Sequence, residues 1–331
     1  MRTRTRPGRG RRGLRGWGGV SGMVCACALA LTATAMPLLG DEPGSADPTA
    51  RGPRVVHANR AADEDCDTAS LRPTGFEESG AALERIRKRR KLVVGVDQNS
   101  YLWGYRDPAS GELVGFDIAL AKAIARDILD DEDAIIFKMV PTDQRESQIE
   151  ARNVDMVVRT MSITCDRMDR VAFSTAYFEA GQQLLVPKSS GIREYDAGLA
   201  GKRVCTARKS TGEDKLRLDG HGARLVLVDN QLDCLVRLQL GEVDAVLTDN
   251  ALGAGQAAQD PQVHLVGDRV TDEYYGIAMH RGDTDLVRRV NKVLEDYRAG
   301  GVDSEWMRSF DTWLGDHLER PPLPPEANYR D

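Results

Sequence analysis

A chain of 331 residues is long enough to bury two sizeable hydrophobic cores. Its formal net charge is -6, yet residues 1–19 hold seven arginines and no acid, so the remainder is more acidic still. An acidic body excludes nucleic acid as a partner, and an aromatic content of 5% excludes a groove that stacks sugars or bases.

Residues 1–40 read as an export signal. A basic segment up to Arg15 precedes an uncharged stretch that contains MVCACALALTATAMPLL. The charge asymmetry places the N-terminus in the cytoplasm and the rest outside, at the extracellular face of the cytoplasmic membrane. Ala33-Thr34-Ala35 supplies a small-x-small cleavage site. The uncharged run is also long enough to span a bilayer as an uncleaved anchor, and Cys25 or Cys27 offers a lipid attachment with a short apolar run before it.

Residues 41–76 are rich in Pro, Gly, Ala and Asp without periodicity, which predicts a flexible extension. Cys66 lies in it, and Cys165, Cys205 and Cys234 follow, an even number that suggests disulfides in an exported chain. Cys205 and Cys234 both sit beside predicted strand–helix junctions of the later half and are expected to pair, leaving Cys66 for Cys165. A zinc site lacks any CxxC among the four and any nearby histidine. Reduced, buried thiols are the remaining alternative.

Helical spacing over 77–90 ends in KRRK, cations favoured at a helix C-terminus. The pattern then becomes strand–helix–strand: LVVGV at 92–96, a helix over 115–129, a strand over 134–140, a helix over 144–151 and a strand over 154–159. Such alternation predicts a mostly parallel sheet covered by helices. The segment SITCDRMDRVAFSTAYFEAGQQLLV at 162–186 sets Arg167 in a hydroxyl-rich turn beside Ser162 and Thr164, the chemistry that grips a small carboxylate by a charge-assisted fork.

The rhythm recurs after 187, with strands at 203–207, 224–228 and 243–249, each followed by a helix. NVDMVV at 153–158 and GEVDAVLTD at 241–249 repeat one idea, which predicts two similar lobes. YYGIAMHRG at 274–282 reads as a further strand, with helices over 284–299 and 304–314 and an irregular Pro-rich tail at 317–331. Enzyme signatures are poor: the glycines of a GxGxxA at 253–258 do not directly follow their strand, and no P-loop, HExxH or GxSxG occurs. No metal or cofactor is implied.

The segment 162–174 resembles the family 3 extracellular solute-binding proteins, whose motif (S/T)-I-T-x-x-R-x-x-x-x-x-F-S is met by Ser162, Ile163, Thr164, Arg167, Phe173 and Ser174. The resemblance spans 91–314. It implies a two-lobed α/β periplasmic-binding-protein-like fold of type II, with two mixed sheets joined by a two-stranded hinge. The first lobe is expected at 77–186 plus 280–316 and the second at 187–279, with crossings near 185–188 and 276–280. It further implies a monomer that closes on a small amino acid and delivers it to an ABC permease, or that reports it to a membrane sensor protein, with no catalysis. Arg167, Thr160 and Ser162 match the residues that hold the ligand's α-carboxylate, Asp249 the one that takes its amine, and Ser210 with Thr211 the hydroxyls at a helix N-terminus.

Arg159 departs from the small residue common in the family. If it faces the cleft uncompensated, it favours an anionic side chain, hence glutamate or aspartate, since a buried cation needs a partner. Without that, pairing with an acidic neighbour is the plain reading. Tyr101 and Trp103 lie where the family carries an aromatic gate, either packing over the ligand or in the core.

Overall fold

The computed structural model describes residues 66–73, 79–321 and 323–330. The expected export signal and most of the expected extension lie outside them. No helix among the described residues is long and apolar enough to cross a membrane.

Two five-stranded mixed sheets carry the molecule. In the first the order is Ile135–Met139, Leu92–Val96, Met156–Val157, Ala278–His280 and Val171–Phe173. The first three strands run parallel, and Ala278–His280 is antiparallel to both its neighbours. Leu92–Val96 is buried at every position, as a continuous β-branched run between two helical layers demands. The helices Ala81–Arg89, Phe116–Leu129, Thr284–Arg298 and Glu305–Trp313 bury their apolar stripes against this sheet and one another in a single core.

The second sheet has the order Arg224–Val228, Arg203–Ala207, Ala245–Asp249, Gln182–Pro187 and Val263–Val266. Again the first three are parallel and the strand that enters from the other lobe, Gln182–Pro187, is antiparallel to its neighbours. Between the sheets the chain crosses twice, as the antiparallel pair Phe178–Ala180 and Glu273–Tyr275.

The crossings therefore lie earlier than 185–188 and 276–280. QQLLVP belongs wholly to the second sheet, and YYGIAMH is two strands, one crossing and one in the first sheet. The apolar pattern is the same for a strand in either sheet and does not mark where the chain changes lobe. Gly276 stands at the break, where a Cβ would sit 2.8 Å from Ile163 and 2.9 Å from Phe173.

The first and last described segments are tied to the first lobe. Cys66 is bonded to Cys165, and Ser70–Leu71 pairs in parallel with Tyr329–Arg330, so the tail is not wholly irregular. Buried Asn291 on the helix Thr284–Arg298 donates to Ser70 Oγ at 2.8 Å and to the Leu71 carbonyl at 2.7 Å, which fixes the strand. Cys205 is bonded to Cys234 inside the second core, joining the strand Arg203–Ala207 to the helix Gln231–Gln239.

Candidate functional site

The cleft between the sheets opens at the carboxyl ends of their parallel strands, where open α/β folds place ligands. It holds about 410 Å³ of atom-free space, its open mouth included. Arg159, Thr160, Ser162, Arg167, Ser210, Thr211 and Asp249 all line it. Tyr101 and Trp103 do not.

Arg167 is buried on the one-turn helix Cys165–Met168, capped by Thr164, whose Oγ1 accepts from the Arg167 N–H at 3.4 Å. Its guanidinium donates to the Ser162 carbonyl at 2.7 Å and, across the cleft, to the Lys209 carbonyl at 3.0 Å. Glu146 Oε1 lies 3.7 Å from its Nε, so the buried cation has a carboxylate close by. The Cys66 disulfide starts this helix, two residues before the arginine.

Thr160 has φ of 39°, a left-handed conformation costly for a β-branched residue. The strain is held from below: its N–H donates to Asp117 Oδ2 and to the Tyr177 hydroxyl, each at 3.1 Å, and Tyr177 donates to Asp117 Oδ1 at 2.8 Å. Burial pushes the Asp117 carboxyl up to about 7. Burial, then the Asp117 charge, pushes the Tyr177 phenol well above its usual range.

Arg159 does face the cleft, but not as an uncompensated cation. Its Nη2 donates to Asp97 at 2.8 Å and its Nη1 to Thr142 Oγ1 at 2.9 Å, which leaves Nε without a partner. Asp97 follows the strand Leu92–Val96 directly and is pinned by Ser100 and the Gln98 and Asn99 N–H groups. A paired Arg159 does not call for an anionic ligand. Arg145, which sequence reading missed, hydrogen-bonds to no carboxylate among the described residues.

Arg145 is buried and donates only to carbonyls, Thr142 at 3.0 Å and Lys209 at 3.5 Å. Burial, then the Arg167 and Arg159 charges, bring its guanidinium down to about 9. The signal available was a cation opening the helix Arg145–Glu150, where the dipole disfavours one.

Across the cleft, Ser210 caps the helix Thr211–Asp219, accepting from the Glu213 N–H at 3.2 Å. Thr211 Oγ1 accepts from Gln182 at 3.1 Å and donates to Glu273 at 2.8 Å. Asp249 begins the helix Asn250–Gln259 without capping it; its carboxylate instead accepts from Gln182, its cross-strand partner. Burial, then the Glu273 charge, push the Asp249 carboxyl well above its usual range. Gln182, Glu273 and Gln231 were also missed. Gln231 lines the cleft with its Oε1 on the Ala207 N–H at 3.2 Å and its Nε2 unpartnered.

Trp103 is fully buried among Phe116, Phe178 and Tyr275, and its Nε1 donates to the Ala251 carbonyl of the second lobe at 3.1 Å. Tyr101 packs edge-on to Tyr105. Trp103 thus packs at the crossing, while Tyr101 lies partly buried against the same core, and neither is on the cleft lining.

Residues 92–316 match the profile of the bacterial extracellular solute-binding proteins, family 3. The ABC transporter glutamine-binding protein GlnH of Bacillus subtilis is 37% identical over 230 residues, 68% of this chain and 84% of its own. The glutamate-binding protein GluB of Corynebacterium efficiens is 28% identical over 263 residues, 75% of this chain and 86% of its own. Among solved structures, a mutant of the arginine-binding protein of T. maritima superposes with a TM-score of 0.65 at 30% identity, covering 71% of this chain and all of that one. An ancestral arginine-binding protein bound to glutamine gives 0.63 at 35% identity, over 69% and 99%. The fold is that of the type II periplasmic binding proteins, and the chain belongs to the family 3 bacterial extracellular solute-binding proteins.

Proposed function

We propose that the protein captures an acidic amino acid, glutamate or aspartate, by lobe closure and presents it to an ABC permease, without catalysing a reaction. An amino acid suits a cleft with a cationic and an anionic end. Arg167, flanked by Thr160 and Ser162, takes the α-carboxylate, which displaces the Lys209 carbonyl from one prong of the fork. Asp249 takes the ammonium. GlnH, GluB and the arginine-binding structures are relatives named for amino acids.

The observation that carries the acidic side chain is Arg145, a buried guanidinium with no carboxylate hydrogen-bonded to it among the described residues. On the same cleft lining, the Arg159 Nε and Gln231 Nε2 are donors without acceptors among the described residues. A set made of donors fits a carboxylate, which only accepts; an amide would turn its own donors toward them. Lobe closure follows from contacts to both lobes, which bias the equilibrium toward the closed form that a membrane partner reads. The protein is taken as a monomer at the outer face of the cytoplasmic membrane, anchored or lipid-attached through its N-terminal segment.

Calorimetric titration with glutamate, aspartate, glutamine and arginine tests this. The two acidic ligands bind most tightly, and Arg145→Met removes their lead over glutamine. Tighter binding of glutamine or arginine by the wild type would overturn the assignment.

A further inference from the structure

Behind the cleft, one carboxylate collects three hydroxyl groups. Glu273 is buried on the crossing strand Glu273–Tyr275, opposite Ala180. Its Oε2 accepts from Ser162 Oγ of the first lobe at 2.5 Å and from Thr211 Oγ1 of the second at 2.8 Å. Its Oε1 accepts from Thr271 Oγ1 at 2.9 Å. Glu273 does not itself line the cleft, but Ser162 and Thr211 do.

Gln182 fixes the direction of these bonds. Its backbone N–H donates to Thr271 Oγ1 at 2.8 Å, and its side-chain Nε2 donates to Thr211 Oγ1 at 3.1 Å. A hydroxyl has a single proton, and a threonine oxygen that receives an N–H still has that proton to give. Both threonines give it to Glu273. Two relays therefore run from Gln182 through a threonine into the same carboxylate, each link polarising the next. Ser162 completes the set from the other lobe.

We propose that Glu273 is a positioning residue that sets the cleft's demand for an amine: by taking the protons of Ser162 and Thr211, it leaves both hydroxyls facing the ligand as acceptors only. The inference rests on the reading that an amino acid occupies this cleft, and names what makes its amine obligatory.

An oxygen that can only accept repels a carboxylate or keto oxygen and attracts an N–H. Ser162 Oγ keeps both of its lone pairs for ligand, and Thr211 Oγ1 keeps the one that Gln182 has not used. Gln182 Nε2 also donates to Asp249, so the Thr211 hydroxyl stands at the end of the cleft assigned to the ammonium. Arg167 is tied to the Ser162 carbonyl and not to its hydroxyl, and so keeps the carboxylate whichever way that hydroxyl turns. With their protons free, the same two hydroxyls would donate as readily as accept, and would also serve an α-keto acid. Because Ser162 and Thr211 belong to different lobes, one buried carboxylate gives both faces of the cleft the same polarity.

Calorimetric titration compares glutamate with 2-oxopentanedioate, which keeps both carboxylates and puts an acceptor oxygen where glutamate has its ammonium. The wild type is expected to prefer glutamate by at least about a hundredfold. Glu273→Met fills a similar volume without an acceptor, frees both hydroxyl protons and should cut that preference at least about tenfold. Ser162→Ala, which keeps Glu273 and removes one acceptor, should weaken glutamate about tenfold more than it weakens the oxo acid. A merely structural role would lower the affinity of Glu273→Met for both ligands by the same factor, and that result overturns the proposal while leaving the amino-acid reading in place. Equal weakening of the two ligands in Ser162→Ala overturns it as well, and does so even where Glu273→Met fails to fold. Failure of the wild type to bind any amino acid overturns both.

Discussion

Arg167 and Asp117 show how differently two buried ionisable residues act on one loop. Arg167 offers a planar fork to the cleft, and a lysine in its place keeps the charge but loses the second prong and the bond to the Ser162 carbonyl. Arg167→Lys is expected to raise the glutamate Kd at least about thirtyfold, or about 2 kcal/mol, in calorimetry. Asp117 works from beneath, holding the strained Thr160 N–H. Its carboxyl titrates at about 7 in the fold, against about 3.9 in the unfolded chain. A folded value above the unfolded one means that the contribution to stability is full below about pH 4 and is lost as pH rises through 7. Denaturant unfolding across pH 4–8 should show the wild type losing stability relative to Asp117→Asn, by an amount of the order of 4 kcal/mol at most. Arg167 and Asp249 could be found in the sequence because a motif and a strand end marked them. Glu273, Arg145 and Gln231 could not, since each lies far along the chain from the partners that give it meaning.

The short helix Cys165–Met168 is too small to hold its own shape, because a single turn fixes many dihedrals for few hydrogen bonds. It is held by two neighbours. Ile163 donates to the Tyr274 carbonyl at 2.8 Å, which zips the turn to the crossing strand. The Cys66 disulfide ties it to the N-terminal segment over a sequence separation of 99. Cys66→Ala is expected to cost about 2–5 kcal/mol of stability in denaturant melts. It should also weaken glutamate binding, since the freed helix must be ordered again on capture; an unchanged Kd would show that the crossing strand suffices. The helix Thr211–Asp219 has a local device instead, and Ser210→Ala should cost about 1 kcal/mol by loss of the cap. Helices and central strands were legible because their periodicity follows from burial on one face or two. The pairing of 70–71 with 329–330 was not, as two residues have no period.

The two lobes touch at Lys209, whose carbonyl meets Arg167 and Arg145 and whose Nζ donates to the Asp143 carbonyl at 3.1 Å. They also touch where Thr142 donates to the Asp229 carbonyl at 3.4 Å. These contacts are polar, whereas the crossing is apolar and tightly packed around Trp103, with Ala251 of the second lobe in the same core. Trp103→Phe leaves the buried Ala251 carbonyl without its donor and is expected to lower stability by about 1–3 kcal/mol. If the ring supports the crossing and does not touch ligand, the glutamate Kd measured on the folded variant should move far less than in Arg167→Lys.

The sequence by itself determined the class of fold, the two lobes and the turn that carries Arg167, because hydrophobic period and a spaced motif are local properties of the chain. It also carried the acidic body that makes an arginine in a cleft informative. Only the tertiary structure decided where the chain crosses, that Arg159 is neutralised by Asp97, and that Glu273 takes hydroxyls from both lobes. Those outcomes depend on which side chains meet when two sheets are brought together. Charge compensation between residues 62 apart, or hydroxyls from two lobes on one carboxylate, has no signature along the chain.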